Sequence, residues 1–413
     1  MNWRSIRLKH QYRIIDQRAG SDQPPLLAVS IHHGVVPRDS LTEKLPRAED
    51  LSNYKVCAPG DIVLNRMRAF QGAIGIASTG GMVSPDYLVI RPNSDADPRY
   101  LHHLFRSSWF IGEMISRLRG IGGTESGSVR TPRINPEDLG DITVSLPGFE
   151  EQRRIADFLD AETARIDGMA SRCQRLLALV GERDQALLDS SLEGMSDKAG
   201  VVPFRRFILG VDQGSSPQCE ATPAGDGEWG VLKVSCLRPG LFNPEENKRL
   251  PPGVKPDVHA EVKRGDLLIT RANTPALVGS TAVVKDVRPG LLLCDKIFRV
   301  RVTSDLDPEF LAVVARGSRV RASSAATSNG ASQSMANLRF EEIKGWPIPA
   351  VSLLDQQRVV EVVSDSHSVV MDLKIKADRQ LTLLAERRQA LITAAVTGQL
   401  DVTTARPTYD RDL

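Results

Sequence analysis

Two long stretches of the chain carry apolar residues at alternating spacings of four and three, and neither stretch contains proline. In the first, from about residue 150 to 192, the seam residues are Ile155, Leu159, Ile166, Met169, Cys173, Leu176, Val180 and Leu187. In the second, from about 354 to 396, they are Val359, Val363, Val370, Leu373, Ala377, Leu384 and Leu391. This heptad pattern predicts two long helices that pack against each other as a coiled coil. The alternative is that each helix packs only on a globular domain, but a helix of about 43 residues is ~65 Å long, which exceeds the width of such a domain.

The chain also repeats itself with a period of about 205 residues. Residues 60–66 align with 265–271, Gln152–Arg153 aligns with Gln357–Arg358, and 182–187 aligns with 386–391 if one residue is lost between them. A period of this length indicates a duplicated domain with a duplicated connector and excludes a solenoid of short repeats. We therefore predict an α/β (α+β) fold class, with two globular domains separated by two long helices. The predicted boundaries are 1–147 and 195–350 for the globular domains, 148–194 and 351–400 for the spacer helices, and 401–413 for the tail.

Local signals place some elements within the globular halves. Short strands are predicted at Ile62–Asn65 and Leu267–Thr270, each after a Gly–Asp turn. Asp97–Pro98 and Asp307–Pro308 predict helix starts, because aspartate caps the first turn and proline suits it. Two loops are predicted. One covers residues 120–132, which are rich in glycine, and the other covers residues 322–338, which carry no charge.

Composition narrows the class of protein. The chain has 413 residues with 53 basic and 51 acidic side chains, and its five cysteines form no CxxC pair. This composition is typical of globular proteins and disfavours a disulfide framework or a thiolate zinc site. No stretch reads as a secretory signal or a membrane span, so we expect a soluble, cytoplasmic protein. The globular halves are mildly basic and the connectors acidic or neutral, which is compatible with nucleic-acid contact through the globular halves.

Motifs for catalysis are missing from the sequence. We find no phosphate-binding loop, no dinucleotide fingerprint and no Asp/Asn–Pro–Pro–aromatic run. Asp257, Glu261 and Lys263 could in principle hold Mg²⁺, but their spacing is too short for side chains from separate strands to converge. The pair His102–His103 is disfavoured as a metal site because adjacent side chains diverge. We expect no catalytic, cofactor-binding or metal-ligating residue in this chain.

Several runs resemble type I restriction–modification specificity subunits (HsdS). Residues 146–156, which read LPGFEEQRRIA, resemble the start of that family's central conserved region. Residues 386–400, which read ERRQALITAAVTGQL, resemble its C-terminal conserved region, and residues 60–72 with 83–87 resemble its target recognition domains. Together with the duplication, these runs cover nearly the whole chain. The counterpart of the central run departs from the pattern, because residues 351–357 read VSLLDQQ and lack its proline.

The resemblance implies a function and a set of partners. Each globular half would be a target recognition domain that reads one part of a split sequence in double-stranded DNA. The helices would form an antiparallel coiled coil in a pseudo-twofold arrangement. The chain would be a non-catalytic subunit that assembles with two methyltransferase subunits and with restriction subunits. S-adenosylmethionine, ATP and Mg²⁺ would then act in those partners.

The residues that contact DNA do not carry over from the family and follow from chemistry instead. Arginine suits guanine, asparagine and glutamine suit adenine, and basic side chains suit phosphate. The candidates are Arg66, Arg68, Arg130, Arg133, Arg271, Asn273, Gln333 and Asn337. For Arg66 and Arg271, a structural salt bridge within the domain is an equal alternative.

Two other classes of function stay open on the residues alone. The first is an enzyme with an unrecognised active site. The second is a coiled-coil scaffold that does not bind DNA.

Overall fold

The computed structural model describes residues 3–22, 24–31, 33–42, 50–118, 132–327, 329–332 and 335–402. The chain divides into two compact units. Unit 1 comprises residues 1–174 with 378–413, and unit 2 comprises residues 175–377. Each unit therefore combines a globular part with segments of both long helices. No helix in the described part of the chain is long and apolar enough to cross a membrane.

Unit 1 contains short strands and three short helices. The strands are β1 (Arg4–Arg7), β2 (Tyr12–Ile15), β3 (Leu27–Ser30), β4 (Gly34–Pro37), β5 (Lys55–Cys57), β6 (Ile62–Asn65), β7 (Ile74–Ile76), β8 (Gly81–Val83), β9 (Tyr87–Pro92) and β10 (Thr143–Leu146). The helices are α1 (Pro98–Arg106), α2 (Ser108–Ile115) and α3 (Pro136–Gly140), followed by the long α4 (Phe149–Ala199). The central sheet has the order β2-β9-β6-β7 and is antiparallel. The core that α1 and α2 form with it also includes Ile155 and Leu159 of α4.

Unit 2 has its own set of elements. Its strands are β11 (Val201–Pro203), β12 (Ile208–Gln213), β13 (Gly230–Leu232), β14 (Leu237–Arg238), β15 (Leu241–Phe242), β16 (Asn247–Arg249), β17 (Leu267–Thr270), β18 (Ala272–Asn273), β19 (Thr281–Val283), β20 (Leu291–Leu292), β21 (Ile297–Val302), β22 (Asn329–Ser332), β23 (Met335–Asn337) and β24 (Pro347–Pro349). Its helices are α5 (Pro308–Arg316), α6 (Ser318–Thr327), α7 (Phe340–Lys344) and the long α8 (Leu353–Val396). The central sheet has the order β12-β21-β17-β19.

The sheets of the two units follow one plan. In both, the strand after the Gly–Asp turn is central, and the strand before the Asp–Pro helix pairs with it. The turns match in detail. Gly60 and Gly265 have φ of 89° and 91°, and Asp61 and Asp266 accept the backbone N–H three residues earlier. Each of these aspartates also pairs with an arginine of the neighbouring strand. The local signals therefore predicted these strands and turns correctly.

The helix starts also agree with the sequence. Asp97 and Asp307 cap α1 and α5, and each accepts the backbone N–H two residues later at 2.8 Å. The predicted loop at 322–338 is wrong, because α6 continues to Thr327 and β22 and β23 follow. The absence of charge in that segment does not prevent a helical turn and a hairpin. The predicted loop at 120–132 lies almost entirely outside the described residues.

The long helices lie where they were predicted, but α4 continues to Ala199, beyond the predicted end at 194, and α8 (Leu353–Val396) is shorter than the predicted 351–400. Parts of the predicted seam are also wrong. Leu176, Leu187 and Leu373 are exposed by 61%, 41% and 44%. In α4 the buried positions recur every eleven residues. Ile155, Ile166 and Leu188 are buried, and Leu177, the remaining member of this series, is half-buried. A straight helix drifts by ~20° per heptad, so by the end of α4 the buried position has moved from Leu187 to Leu188.

Helix α8 keeps the seven-residue interval. Val363, Val370 and Leu384 are buried, and Leu391 is half-buried. The error there concerns Leu373. Between Val370 and Ala377 the half-buried residues are Met371 and Lys374, so Leu373 turns outward. The other seam residues are buried or half-buried: Val359, Ala377, Leu159, Met169, Cys173 and Val180.

Candidate nucleic-acid interface

The turn after β6 sends two arginines in different directions. Arg66 is half-buried, and its Nε donates to the Ile134 carbonyl at 3.0 Å while its Nη2 donates to the Asn135 side chain at 3.0 Å. The backbone of Arg66 also accepts the N–H of Ile134. Arg66 therefore ties the end of β6 to the segment that precedes α3. Arg68, two residues on, is exposed.

Arg271 occupies the matching place in unit 2. Its backbone N–H donates to Lys296, and its carbonyl accepts the N–H of Leu338, the counterpart of the bond between Arg66 and Ile134. Its guanidinium lies 3.5 Å from the Asp295 carbonyl. Each arginine therefore contacts backbone carbonyls of its own unit, a structural role different from the salt bridge considered above.

The remaining candidates fall into two groups. Arg133 and Asn337 are exposed and Asn273 is half-buried. The backbone of β18 pairs Asn273 with Ala336, and Ala272 with Asn337, so the two asparagines share the β18–β23 ladder. Arg130 and Gln333 lie outside the described residues.

Each long helix is fastened to its globular part by a buried glutamine. The Gln152 side-chain oxygen accepts the backbone N–H of Asp97 at 3.0 Å, and its amide donates to carbonyls of Asp95 and Pro147. Gln356 makes the same three contacts in unit 2, with Asp307 at 2.8 Å, Asp305 and Val351. The counterpart of Gln152 is therefore Gln356 and not the exposed Gln357.

The far ends of the helices repeat a second pair of contacts. Gln389 donates to the carbonyl of Arg106, the last residue of α1, and Gln185 donates to that of Arg316, the last residue of α5. Gln152 and Gln356 are 204 residues apart, and so are Gln185 and Gln389. One constant offset therefore relates both helix motifs, and no residue is lost between them.

A third repeated contact escaped the sequence analysis. The Thr393 hydroxyl accepts the backbone N–H of Ser108 at 3.1 Å, and the Asp189 carboxylate accepts that of Ser318 at 2.8 Å. Each long helix thus caps the second short helix of a globular part. Because threonine and aspartate are different residues, a search for identical residues does not detect this pair. An alignment of the two helices at the constant offset of 204 residues would have detected it.

The acidic residues considered for metal binding have structural roles. The Asp257 side chain accepts the His259 N–H at 3.1 Å, and Glu261 accepts the Gly290 N–H at 2.8 Å. His103 contacts Asp160 at 2.8 Å. Burial raises the pKa of Asp160, but the His103 and Arg99 contacts outweigh it and hold the pKa below its ordinary value. Within the described ranges, no three His, Cys, Asp or Glu side chains gather as a metal site.

Comparisons with known proteins show which proteins this chain is similar to. A family model described as "Type I restriction modification DNA specificity domain" matches residues 48–176. The EcoEI type I specificity subunit of Escherichia coli is 28% identical over 192 residues, which are 46% of this chain and 32% of that protein. The EcoKI specificity subunit of Escherichia coli strain K12 is 21% identical over 328 residues, which are 76% of this chain and 68% of that protein.

Solved structures agree on the fold. A chain from a study of assembly and conformational transition of the type I R-M system aligns with a TM-score of 0.67 at 18% identity, covering 96% of this chain and 98% of that one. The HsdS subunit from Thermoanaerobacter tengcongensis aligns with a TM-score of 0.50 at 18% identity, covering 96% and 97%. The match to the EcoEI subunit spans about a third of that protein. The family model and the relatives confirm the resemblance to type I specificity subunits that the sequence motifs indicated, and the solved structures share the fold.

Proposed function

We propose that this chain is the DNA sequence-specificity subunit of a type I restriction–modification complex. Residues 1–147 and 195–350 would each be a target recognition domain that binds one half of a bipartite sequence in double-stranded DNA. The observation that carries this proposal is the DNA specificity domain matched at residues 48–176, together with the same sheet order in both units. Two such domains in one chain can bind two different half-sites.

The long helices would form an antiparallel coiled coil and give the chain a pseudo-twofold arrangement. Contacts inside each unit support this. In unit 1, Asp167 of α4 pairs with Arg388 of α8 at 3.1 Å, and in unit 2, Asp184 of α4 contacts His367 of α8 at 2.9 Å. Residues later in α4 thus contact residues earlier in α8, as in an antiparallel pair of helices. The same helix contacts occur at both ends, so two identical methyltransferase subunits could each use one end.

Catalysis would belong to the partners. Methyltransferase subunits would supply S-adenosylmethionine chemistry, and restriction subunits would supply hydrolysis of ATP and Mg²⁺-dependent cleavage. In this chain, the acidic and histidine side chains that looked suitable for chemistry are bound to backbone groups or to one another. Its contribution would be sequence recognition and scaffolding.

Sequencing of methylated adenines tests the proposal. The full chain is co-expressed with its methyltransferase partner in a host without other adenine methylation, and the modified positions are mapped across the genome. The expected result is one bipartite motif with a fixed gap, which disappears when this chain is omitted. Methylation that is independent of this chain, or has no sequence preference, would contradict the proposal.

A further inference from the structure

In each unit, a polar side chain lies two positions after the arginine that follows the central strand. The arginines at the strand ends are bound to backbone carbonyls of their own unit, so their guanidinium groups are already engaged. Arg68 is exposed, and its side chain makes no hydrogen bond or ion pair with any described residue, although its backbone bonds to Asn65 and Ala73 within the turn. Asn273, at the matching position of unit 2, is half-buried. Positions that match in the sequence repeat therefore carry two different polar side chains, Arg68 in the turn after β6 and Asn273 in strand β18.

Arg68 lies at an aromatic and basic edge of the central sheet of unit 1. Asn65, the last residue of β6, pairs with Tyr87, the first residue of β9, so the turn that bears Arg68 leaves the sheet beside Tyr87. Burial raises the pKa of the Tyr87 phenol, and the charges of Arg68 and Arg38 oppose that rise. The charges of Arg68 and Arg38 therefore act on the phenol, as does that of Asp86 in the opposite sense. Arginines beside a half-buried tyrosine suit a surface that contacts nucleic acid.

Asn273 is held by its backbone rather than its side chain. It pairs with Ala336 in the β18–β23 ladder, which fixes the direction of the side chain. Its side-chain oxygen accepts the Thr274 N–H at 2.8 Å. The amide NH₂ makes no hydrogen bond with any described residue, and the oxygen retains a second lone pair. Both N–H donors and one acceptor lone pair of the Asn273 amide are thus available.

We propose that Arg68 and Asn273 are the base-reading residues at matching positions of the two units, Arg68 for a guanine in one half-site and Asn273 for an adenine in the other. This inference rests on the proposed DNA-specificity function and deepens it. The arginine fork matches guanine O6 and N7, and the asparagine amide matches adenine N6 and N7. Arg66 and Arg271 anchor the strand ends that present these side chains. The two half-sites would differ because positions that match in the sequence carry two chemistries, presented by a turn in unit 1 and by strand β18 in unit 2.

The test uses the full chain assembled with its methyltransferase partner, with methylated adenines mapped in the genome. The variants are Arg68→Ala and Asn273→Ala. The matched control is Arg13→Ala: Arg13 is equally exposed in unit 1 but pairs with Arg91, at the opposite end of β9 from Tyr87. A fourth variant, Arg66→Ala, reports on anchoring. Melting temperature by circular dichroism shows that each variant is folded.

The expected result for Arg68→Ala is a loss of roughly 10- to 100-fold in discrimination at one guanine of one half-site, with the other half-site unchanged. Asn273→Ala relaxes one adenine of the other half-site by a similar factor. Arg13→Ala leaves the motif intact, and Arg66→Ala lowers the melting temperature.

Three outcomes would overturn the inference. In the first, folded Arg68→Ala and Asn273→Ala proteins keep every position of the motif. In the second, the relaxed bases are not guanine and adenine. In the third, binding weakens evenly across sequences and its salt dependence falls by about one unit of slope, as for a phosphate contact. If the wild-type complex produces no bipartite motif, the proposed function itself fails before any variant is compared.

Discussion

The side-chain oxygen of Gln152, on the first turn of α4, accepts the backbone N–H of Asp97, the residue that caps α1, at 3.0 Å. The two residues are 55 positions apart in sequence, and the bond is buried. It joins the start of a long helix to the start of a short one. Because Gln356 makes the same bond to Asp307, this contact defines how each spacer helix leaves its globular part.

Replacement of Gln356 by leucine should therefore destabilise unit 2. The change leaves the buried Asp307 N–H and the carbonyls of Asp305 and Val351 without their partner, at a cost of about 2 kcal/mol. Gln357→Leu is the matched control, since Gln357 is exposed and should cost under about 0.5 kcal/mol. Urea unfolding of the two variants measures the difference. If both variants lose the same stability, or if Gln357→Leu loses more, then Gln357 would be the counterpart of Gln152, at the offset of 205 residues that the sequence alignment predicted.

The end of α4 offers a second matched pair. Leu188 is 1% exposed and packs in the core of unit 2, whereas Leu187 is 41% exposed. We expect Leu188→Ala to lower the free energy of unfolding by about 3 kcal/mol and Leu187→Ala by less than about 1 kcal/mol. The reverse order would support a strict heptad along the whole of α4.

The stability of unit 1 should fall in mild acid because of His102. Burial, and then the charges of His103 and Arg106, lower its pKa to about 3, against the attraction of Asp160. Its Nε2 has no partner among the described residues. Below pH ~6.5 the unfolded chain takes up a proton that the folded chain does not, so stability drops until pH ~3, by at most about 1.4 kcal/mol per pH unit.

Unfolding at pH 7.5 and pH 5 checks this dependence. His102→Leu should show a smaller loss of stability between the two pH values than the wild type. His10→Leu serves as the control, because His10 is exposed and its removal should leave the dependence unchanged. An identical pH dependence in all three proteins would show that His102 does not contribute.

An exchange of residues 1–147 with the same region of a relative should change one half of the methylated motif only. Each unit has its own hydrophobic core, so each should keep its own specificity. The contacts of Gln152 and Gln389 with the globular part must be retained in the chimera. Methylome sequencing of the chimera gives the answer, and an altered second half in a folded protein would count against independent reading.

Lengthening both spacer helices should lengthen the gap in the motif. Seven residues inserted after Val180, with seven more after Asp372, which lies opposite it by the Asp184–His367 contact, add ~10 Å to each helix, or about three base pairs. The insertion keeps α8 in phase, because its buried positions advance by seven, and turns the buried face of α4 by only ~20°. The bases read in each half should stay the same. Methylation with the original gap would mean that the partner subunits set the spacing.

The sequence alone determined the elements that depend on neighbouring residues. Strands β6 and β17 and the turns before them match the prediction residue for residue, as do the helix starts at Asp97 and Asp307. The turns and helix starts rest on hydrogen bonds that span two or three positions and on the backbone freedom of Gly60 and Gly265, so the local sequence carries the information. The matching runs of the two halves were visible for the same reason.

Only the tertiary structure showed which polar side chain forms a hydrogen bond with which distant group. The sequence left Arg66 with DNA contact and a salt bridge as equal alternatives. The structure instead shows bonds to Ile134 and Asn135, which join positions 68 and 69 residues apart. The same holds for Gln356 against Gln357, where adjacent glutamines differ only in the direction that the helix gives them. The predicted seam of α4 was wrong because the phase of a straight helix shifts gradually against a seven-residue repeat. The shift is small over one heptad, but over about four heptads it moves the buried position by a whole residue. Long-range contacts and accumulated helical phase are properties of the folded chain, and no local pattern in the sequence encodes them.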